Sequence, residues 1–583
     1  MSRLLGVAVP GLSTRELQII MSRDRIVLGV HLGHDRGAAL VRNGVLWYAI
    51  AQERVDRLKH SPSPEIPRQA IEALVGVTGI RLNDIDAVGI SYTNVSIDSI
   101  IDQIATEFRD LYDVEGMPIF GVSHHICHAL AAFHTSGFQD ADVFIADGAG
   151  DIVGSLLEAE SLYRVDNMRT RLVARRFQDF GLTYMWRRNS FNYAYMHEVD
   201  KDKQISLGRK YEQITYLIGF RHGDAGKTMG LASYGRTLVE PFGHFDNLWF
   251  SLRFRDLLQE LEEVRISYGL PHHKFVSSMR ADIAQTGQIF VESAVTNLLT
   301  NLRPQLQGEN LCLGGGLFLN CHLNSRILRE CGWRRVHIFP AAGDDGQAVG
   351  AAFYAYNQFH GEAASSPAPL PFLGLQYGSP VIKEALEHFG VPYEQLDDGE
   401  LARRVAELLA QDKIVAILRG RSELGPRALC HRSILADPRH IETRNRLNEI
   451  VKFREPFRPF GPVVTNEDQL KYFDLPQESP YMLLTAPVRQ EFRSELRAIT
   501  HIDGSARVQS ISQDKDAFIH RLLQQFEGLT RFPILLNTSF NLADEPIVES
   551  PYDALSTFIR SPIDVLVLEN YLVSKPTQRT GSK

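Results

Sequence analysis

Two histidines four residues apart raise the question of what chemistry this chain performs. His124 and His128 stand in residues 122–137, a stretch that predicts a helix from His124 to Phe133 with Ser123 as its cap. Residues at this spacing share one helix face, with Cβ atoms about 5–6 Å apart. Two such imidazoles suit a single metal ion, although a lone pair of this kind more often belongs to an ordinary surface or core helix.

Three aspartates at the ends of apolar stretches favour the metal interpretation. Asp147 ends the stretch FIAD, and Asp344 and Asp345 follow HIFPAAG. Two imidazoles and two carboxylates would form a mixed nitrogen and oxygen site, which suits Fe(II), Mn(II) or Zn(II). An aspartate beside glycine is also common in turns, so each aspartate alone would indicate only a turn.

A further histidine, His34, lies next to Asp35 in LGHDRGAA. In this pair the imidazole would act as a general base, and the carboxylate would orient it. A capped turn explains the same two residues equally well.

Three other turn stretches offer groups that could hold a phosphate or an adenosine. AGKTMGLASYG (225–235) and GGGLFLNCHLN (314–324) are glycine-rich, but neither is a Walker A loop or a GxGxxG fingerprint. NTSFN (537–541) follows an apolar strand and supplies amide and hydroxyl donors. Ordinary turns are the alternative in each case. The nucleotide-binding candidates in the first two stretches are Lys227, Gly230, Gly315, Gly316 and Asn320.

The segment 419–458 is strongly basic, with ten Lys or Arg and five Asp or Glu, a local charge of +5. Arg427, Arg432, Lys452 and Arg458 are interleaved with glycine, proline and aromatic residues. This arrangement suits a fixed phosphate site, because guanidinium groups bind oxyanions in a bidentate manner. A solvated basic surface is the alternative.

The elements that must position these residues indicate an α/β protein. From Arg25 the chain predicts three strands, with a hairpin turn at Asn43-Gly44, and residues 141–165 repeat the plan. Two such openings predict a duplicated domain of the actin or sugar-kinase type, whose two turns face each other across a cleft. An Ala-, Ser- and Pro-rich stretch then marks a linker. The predicted segments are an extension (1–24), a first domain (25–360), a linker (361–374) and a second α/β domain (375–583).

Composition excludes several classes of protein. The five cysteines are scattered and form no CxxC pair, which argues against a disulfide framework and predicts a cytoplasmic protein. No apolar run reaches the ~18–20 residues of a membrane span, and the start lacks a signal-peptide pattern. The net charge of −8 gives no general attraction to nucleic acid. We therefore expect neither a membrane nor a nucleic-acid partner.

The motifs taken in order resemble the NodU/CmcH family of carbamoyltransferases. The resemblance covers about residues 25–575 and is carried by LGHD, SHHICH, ADGAGD, GKTMGLASYG, GGGLFLN, AAGDDG, GRSELGPRAL, VKFREPFRPF and NTSFN. It implies an actin-like (ASKHA), TsaD-like N-terminal domain followed by a YrdC-like C-terminal domain. Members are thought to form carbamoyl-adenylate from carbamoyl phosphate and ATP, with Mg(II), in the second domain. The intermediate passes to the first domain, where a metal, iron in the best-understood member, assists attack by a hydroxyl group.

Position by position, the resemblance implies a role for several residues. The metal ligands are His124, His128, Asp147 and Asp344, and the base is His34. The candidates in the glycine-rich stretches would contact carbamoyl-adenylate. The residues that would hold carbamoyl phosphate and ATP are Arg427, Lys452, Arg458, Arg507, Asn537 and Ser539.

The resulting hypothesis is an ATP-dependent O-carbamoyltransferase, monomeric or homodimeric, that acts on a hydroxylated small molecule of secondary metabolism, such as an antibiotic. A threonylcarbamoyl-type tRNA-modifying enzyme and a non-catalytic nucleotide-binding sensor are the alternatives. Two local departures from the family pattern stand out. Asp544 replaces the usual Gly before Glu545-Pro546, and Cys127 and Cys430 stand where Ala or Gly is common. We expect both cysteines to be packing residues.

Overall fold

The protein is a mixed α/β structure, seen in a computed structural model. It describes residues 24–93, 95–166, 169–179, 205–221, 223–239, 243–245, 252–254, 257–361, 364, 371–452 and 454–575. Most of the predicted extension and linker lies outside these ranges. We call residues 24–361 the N-terminal half and residues 371–575 the C-terminal half.

The first sheet has five strands in the order β3-β2-β1-β4-β5. A meander of three antiparallel strands comes first, as the turn at Asn43-Gly44 predicts, and both turn residues have positive φ. The last two strands then run parallel to β1. The strands are β1 (Ile26–Leu32), β2 (Gly37–Arg42), β3 (Val45–Ala51), β4 (Ala87–Tyr92) and β5 (Ile119–Gly121).

The second sheet repeats this plan, with β9-β8-β6-β12-β13 in place of β3-β2-β1-β4-β5 and the same relative directions. Of the three strands predicted within residues 141–165, the second is only a two-residue hairpin strand, β7, paired with β8, and the strand that completes the meander, β9, begins later, at Arg169. The strands are β6 (Asp140–Ala146), β7 (Ile152–Val153), β8 (Leu156–Asp166), β9 (Arg169–Asp179), a separate hairpin of β10 (Gly243–Phe245) and β11 (Leu252–Phe254), β12 (Asn310–Gly314) and β13 (Arg335–Ile338).

The C-terminal half is built on one nine-stranded mixed sheet, in the order β14-β22-β21-β15-β16-β20-β17-β19-β18. Its central strands are mostly buried and rich in Val, Ile, Leu and Ala, as expected for strands covered on both faces. The strands are β14 (Tyr393–Gln395), β15 (Val415–Leu418), β16 (Arg432–Ala436), β17 (Gly461–Thr465), β18 (Leu484–Pro487), β19 (Ser505–Ile511), β20 (Ile534–Ser539), β21 (Val565–Leu568) and β22 (Tyr571–Ser574).

The helices begin at polar caps in several places. The clearest case is the last helix, where Ser550 and Asp553 form a capping box around Pro551. The helices are α1 (Gln52–Asp56), α2 (Arg68–Thr78), α3 (Ile97–Tyr112), α4 (His124–His134), α5 (Leu207–Leu217), α6 (Ala225–Ala232), α7 (Leu257–Ser267), α8 (His272–Ser278), α9 (Arg280–Leu302), α10 (Cys321–Glu330), α11 (Gln347–His360), α12 (Ser379–Phe389), α13 (Asp398–Ala410), α14 (Ile441–Arg446), α15 (Gln469–Tyr472), α16 (Ala517–Thr530) and α17 (Pro551–Arg560). None of the described helices is long and apolar enough to cross a membrane.

Helix α11 packs directly on the first sheet, backbone against backbone. A Cβ atom at Gly29 in β1 or Gly89 in β4 would collide with carbonyl oxygens of α11. A Cβ atom at Gly350 of α11 would likewise collide with the carbonyl of Cys127 in α4. Glycine is therefore required at these positions by close approach. The contacts join α4, α11 and the first sheet into one unit.

Side chains of one half bond to the backbone of the other. Arg54 in α1 donates to the carbonyl of Gly425 at 3.1 Å, and Arg57 donates to the carbonyl of Ile547 at 2.6 Å. In the opposite direction, Gln477 donates to the carbonyl of Val336 at 2.9 Å. Backbone groups on both sides thus find partners across the junction, which holds the halves in a fixed arrangement.

Candidate functional site

The predicted histidine helix forms, and its two histidines meet two carboxylates. His124 Nε2 lies 3.3 Å from Asp147 Oδ2 and 3.3 Å from Asp344 Oδ1. His128 Nε2 lies 4.0 Å and 3.5 Å from the same two oxygens. One ligand atom from each residue lies within 4.8 Å of the others. Helix α4 supplies the imidazoles, whereas the carboxylates follow β6 and β13, at the strand ends where α/β proteins bind ligands.

Neighbouring groups fix the direction of each side chain. The amide of Gly316 donates to Asp147 Oδ1 at 2.9 Å, which turns Oδ2 toward the histidines. The carbonyl of Tyr92 lies 3.4 Å from His124 Nδ1. The predicted cap residue Ser123 makes no side-chain cap hydrogen bond; Asp151 instead accepts from the amide of His124 at 3.1 Å. An imidazole held through Nδ1 presents Nε2 to the centre of the cluster.

The donor set fits a metal ion. His128 is only 2% exposed, and its Nε2 atom has no hydrogen-bond partner among the described residues. A buried nitrogen without a partner costs free energy unless something binds it. Two imidazole nitrogens with two carboxylate oxygens match the preferences of Fe(II), Mn(II) and Zn(II). Nothing in the geometry selects among these ions, and metal binding stays a prediction.

The charges within the cluster are strongly coupled. Burial alone would lower the pKa of His124, but Asp344 and Asp147 outweigh it and raise this pKa well above its ordinary value. Burial would raise the pKa of Asp344, but His124 and His34 hold it well below its usual range. Without a metal, a proton on His124 therefore compensates the two carboxylates. A bound cation would replace that proton.

His34 lies beside the cluster and is tied to it. Its Nδ1 is 3.0 Å from Asp35 Oδ2, and its Nε2 is 3.3 Å from Asp344 Oδ2. Burial opposes protonation, but Asp344 and Asp35 prevail and raise the pKa of His34 to about 9. This pKa lies well above that of a free imidazole, because the facing carboxylates stabilise the charged ring. A cation bound to Asp344 would weaken this effect.

The glycine-rich stretches are placed at the junction between the halves. Lys227 Nζ lies 3.1 Å from Asp224 and 3.4 Å from Glu455 of the C-terminal half. Gly230 faces the ring of Phe457, with room for at most a small group. Lys227 is thus engaged by two carboxylates, and its contact with a nucleotide stays a prediction.

The second glycine-rich stretch turns sharply beside the imidazole–carboxylate cluster of His124, His128, Asp147 and Asp344. Gly315 has a φ of +99° and Gly316 donates to Asp147. The side chain of Asn320 accepts from the amide of Leu323 at 3.2 Å, capping α10, and exchanges two hydrogen bonds of 3.0 Å with Gln288. Asn320 therefore holds the turn in place, and its contact with an adenylate also stays a prediction.

Most of the predicted phosphate-binding cations converge in the C-terminal half. Burial and the neighbouring charge of Arg507 lower the pKa of Arg427 to about 9. In both residues the Nε atom has no hydrogen-bond partner in the part of the chain that the structure describes. Burial and the charges of Arg458 and Arg507 also lower the pKa of Arg454 well below its usual range. Cations that lower one another's pKa lie close together, and we call this group, with Lys452, the cationic pocket; its binding of an anion stays a prediction.

Lys452 and the NTSFN stretch lie beside these arginines. Lys452 is 5% exposed, and its Nζ contacts Asn541 Oδ1 at 2.7 Å, Ser539 Oγ at 3.2 Å and the carbonyl of Ser539. Burial, together with Arg454 and Arg458, lowers the pKa of Lys452 well below its ordinary value. Asn537 is fully buried and donates to Gln509 at 2.7 Å. The stretch therefore does more than form a turn.

The charge pattern of the basic segment included one arginine that belongs to the core and left one out of the predicted set. Arg432 is fully buried and donates to the carbonyls of Glu549, Gly420 and Leu375, so its guanidinium holds the core together. Arg454, which was missed, joins the cationic pocket. It stands in the same basic segment, in VKFREPFR, and its place between Lys452 and Arg458 could have indicated that it belongs with them.

The departures from the family pattern have simple local explanations. Asp544 is exposed and has a φ of +60°, a conformation that glycine favours and aspartate tolerates. Cys127 and Cys430 are both fully buried, as expected of packing residues, and burial raises the pKa of each thiol well above its ordinary value.

One short turn separates the two sites. Gly316, at its start, donates to Asp147 of the imidazole–carboxylate cluster. The carbonyl of Leu319, at its end, accepts from Arg427 Nη2 at 3.2 Å. Residues Gly316–Leu319 form a single 3₁₀ turn, which rises about 6 Å. The imidazole–carboxylate cluster and the cationic pocket thus lie close together across the junction.

Comparison with known proteins agrees with the motifs. Residues 92–353 match the family model "Carbamoyltransferase N-terminus", and residues 406–575 match "Carbamoyltransferase C-terminus". The nodulation protein NolNO of Sinorhizobium fredii is 33% identical over 93% of this chain and 79% of its own length. The 3'-hydroxymethylcephem-O-carbamoyltransferase of Amycolatopsis lactamdurans is 27% identical over 91% of this chain and 95% of its own.

Among solved structures, full-length HypF in a phosphate- and nucleotide-bound form aligns over 58% of this chain and 56% of that one, with 14% identity and a TM-score of 0.41. That likeness is too weak to define the fold. The two family models and the extent of the match to NolNO are decisive: the chain belongs to the carbamoyltransferase family.

Proposed function

We propose that this protein is an ATP-dependent O-carbamoyltransferase that transfers a carbamoyl group from carbamoyl phosphate, by way of carbamoyl-adenylate, to a hydroxyl group of a small secondary metabolite. The observation that carries the proposal is the pairing of two chemically different sites across one junction. A cationic pocket suits phosphates, and an imidazole–carboxylate cluster suits a metal ion and a base. The cephem carbamoyltransferase relative supports the assignment of a small-molecule acceptor.

The first half-reaction belongs to the C-terminal half. One carbamoyl phosphate, one ATP and one water give carbamoyl-adenylate, phosphate and pyrophosphate. Arg427, Arg454, Arg458 and Arg507 would hold the phosphates through charge-assisted hydrogen bonds, and Lys452 would present its ammonium beside Ser539. Mg(II) bound with ATP would neutralise further charge. Bound phosphates would also relieve the repulsion among these cations.

The second half-reaction belongs to the N-terminal half. The oxygen of the acceptor hydroxyl bonds to the carbamoyl carbon, the carbon–oxygen bond to AMP breaks, and AMP leaves with its electron pair. With a cation on Asp344 to lower the pKa of His34 from about 9, the neutral ring would accept the hydroxyl proton, since 38% of its side chain is exposed and its Nε2 faces the cluster. A divalent cation held by His124, His128, Asp147 and Asp344 would polarise the carbamoyl oxygen.

The close spacing of the sites would protect the labile intermediate. Because one 3₁₀ turn joins Asp147 to Arg427 through backbone contacts, carbamoyl-adenylate would travel only a short way between the halves. Enclosure at the junction would limit hydrolysis by water.

The test is mass spectrometry of a panel of hydroxylated metabolites incubated with the protein, ATP, Mg(II) and carbamoyl phosphate. We expect pyrophosphate release that requires carbamoyl phosphate, and one acceptor class that gains a single carbamoyl group. Absence of pyrophosphate release would overturn the proposal. Release without a carbamoylated product from any small molecule, together with a salt-dependent gel shift on tRNA, would favour the tRNA-modifying alternative.

A further inference from the structure

Behind the carboxylate of Asp344 lies a row of buried polar side chains that the proposed reaction does not use. His31 and Ser91 are direct neighbours in the parallel pair of β1 and β4, and both are fully buried. Thr93, 6% exposed, follows the end of β4. The row runs from the interior of the first sheet toward the metal cluster.

The hydrogen bonds of this row have only one consistent set of directions. An ionised carboxylate can only accept, so the hydroxyl of Thr93 donates to Asp344 Oδ2, at 2.9 Å. The Thr93 oxygen then accepts from His31 Nε2–H, at 3.2 Å. Burial lowers the pKa of His31 to about 3, so the ring is neutral, and Nδ1, which carries no proton, accepts from the hydroxyl of Ser91, at 2.8 Å. Each group is then satisfied.

The two oxygens of Asp344 have different partners. Oδ1 faces His124 and His128, at 3.3 Å and 3.5 Å. Oδ2 accepts from Thr93 and faces His34 at 3.3 Å. A carboxylate without a fixed donor on one oxygen is free to rotate and to bind a metal through both.

We propose that Thr93, held by His31 and Ser91, is a positioning residue that restricts Asp344 to a single metal-binding oxygen and reserves the other for His34. This inference rests on the metal centre of the proposed function. It deepens that function because the same carboxylate then sets the distance between the metal and the base. Outer partners of this type typically change metal affinity by 10–100-fold.

The test uses metal-stripped full-length protein titrated with Co(II), whose visible absorption reports both occupancy and coordination. Thr93→Val keeps the shape of the side chain and removes the hydroxyl, whereas Thr93→Ser keeps the hydroxyl. We expect Thr93→Val to bind Co(II) 10–100-fold more weakly, with a changed absorption spectrum. Thr93→Ser should bind nearly as the wild type does.

A matched control is Thr296→Val, because the hydroxyl of Thr296 is also buried but donates to the carbonyl of Glu292 within α9. It should leave Co(II) affinity and spectrum unchanged. If Thr93→Val does not fold, Ser91→Ala serves as the test variant instead. We expect it to lose less Co(II) affinity, because it removes only the hydroxyl that donates to His31 and keeps Thr93.

Two results would overturn the inference. The first is that Thr93→Val, or Ser91→Ala if Thr93→Val does not fold, has the same Co(II) affinity and spectrum as the wild type. The second is that Thr93→Ser loses as much Co(II) affinity as Thr93→Val does. Wild-type protein that binds no Co(II) would overturn both the metal centre and this inference. Normal Co(II) binding without carbamoyl-phosphate-dependent pyrophosphate release would instead remove the proposed function, while the role of Thr93 would stand.

Discussion

Replacing His128 by Ala should abolish metal-dependent stabilisation, whereas replacing its helix neighbour His125 should not. Both side chains are buried on α4. His128 Nε2 lies 3.5 Å from Asp344 Oδ1 within the imidazole–carboxylate cluster, whereas His125 lies outside that cluster, with its Nδ1 2.7 Å from the hydroxyl of Ser161. The two variants therefore remove an imidazole of the same helix with opposite consequences for a metal.

The expected size of the effect follows from linkage. A ligand present at about 100 times its dissociation constant stabilises the folded state by about 2.7 kcal/mol. With an unfolding entropy of about 2.1 cal/mol/K per residue, each kcal/mol moves the melting temperature of a half of about 340 residues by about 1–2 °C. Fe(II), Mn(II) or Zn(II) at that level should raise the melting temperature of the wild type by about 3–5 °C.

The assay is thermal unfolding of metal-stripped protein with and without each ion, followed by elemental analysis of the loaded samples. The readout is the metal-induced shift, so a lower melting temperature of either apo variant does not confuse it. His125→Ala should keep the full shift and occupancy, whereas His128→Ala should lose both. An equal shift in His128→Ala and the wild type would refute the metal assignment.

Four further outcomes are expected. Arg458→Ala should lose carbamoyl-phosphate-dependent pyrophosphate release, which His128→Ala should partly retain because adenylation uses the other half; equal loss in both would contradict two separate sites. His34→Asn should slow single-turnover transfer from preformed carbamoyl-adenylate by about 10²–10⁴-fold, and a wild-type rate there would assign the proton to another group. Metal affinity should fall as pH falls, because protons compete for His124, whose pKa the facing carboxylates raise; isothermal titration at several pH values checks the sign. Arg432→Met should cost about 3–5 kcal/mol of unfolding free energy in denaturant titrations, since it leaves the buried carboxylate of Glu549 without the guanidinium that lies 3.7 Å away and removes a hydrogen bond from several carbonyls; an unchanged midpoint would contradict its core role.

Local sequence patterns predicted the helix and strands that carry the imidazole–carboxylate cluster. The Asn43-Gly44 turn, the strand before Asp147 and the helix beginning at His124 all depend on short-range preferences, and all three form. The choice of Asp344 over Asp345 as the ligand came only from the family resemblance. Residue spacing along the chain says nothing about which of two adjacent carboxylates faces a helix from another part of the fold.

Tertiary contacts decided what sequence patterns could not. Arg432 and Arg427 stand in the same basic segment, yet the first is enclosed by carbonyls and the second meets other cations. The pKa of His34 depends on Asp344, about three hundred residues away in sequence. Thr93 carried no signal at all, because one threonine after a strand is ordinary until its hydroxyl is seen to reach Asp344.

The backbone contacts of α11 also bear on how this scaffold can diversify. Asp344 lies in the turn directly before α11, and Gly29, Gly89 and Gly350 let that helix touch its neighbours with no side chain between them. Where backbone packs on backbone, no side chains lie between that could adjust, so even one added methyl group would have to displace the helix. A shift of 1 Å at a reacting centre can cost about 10²-fold in rate. Changes of acceptor are therefore expected to arise in loops around the cleft, while this glycine-lined unit stays constant.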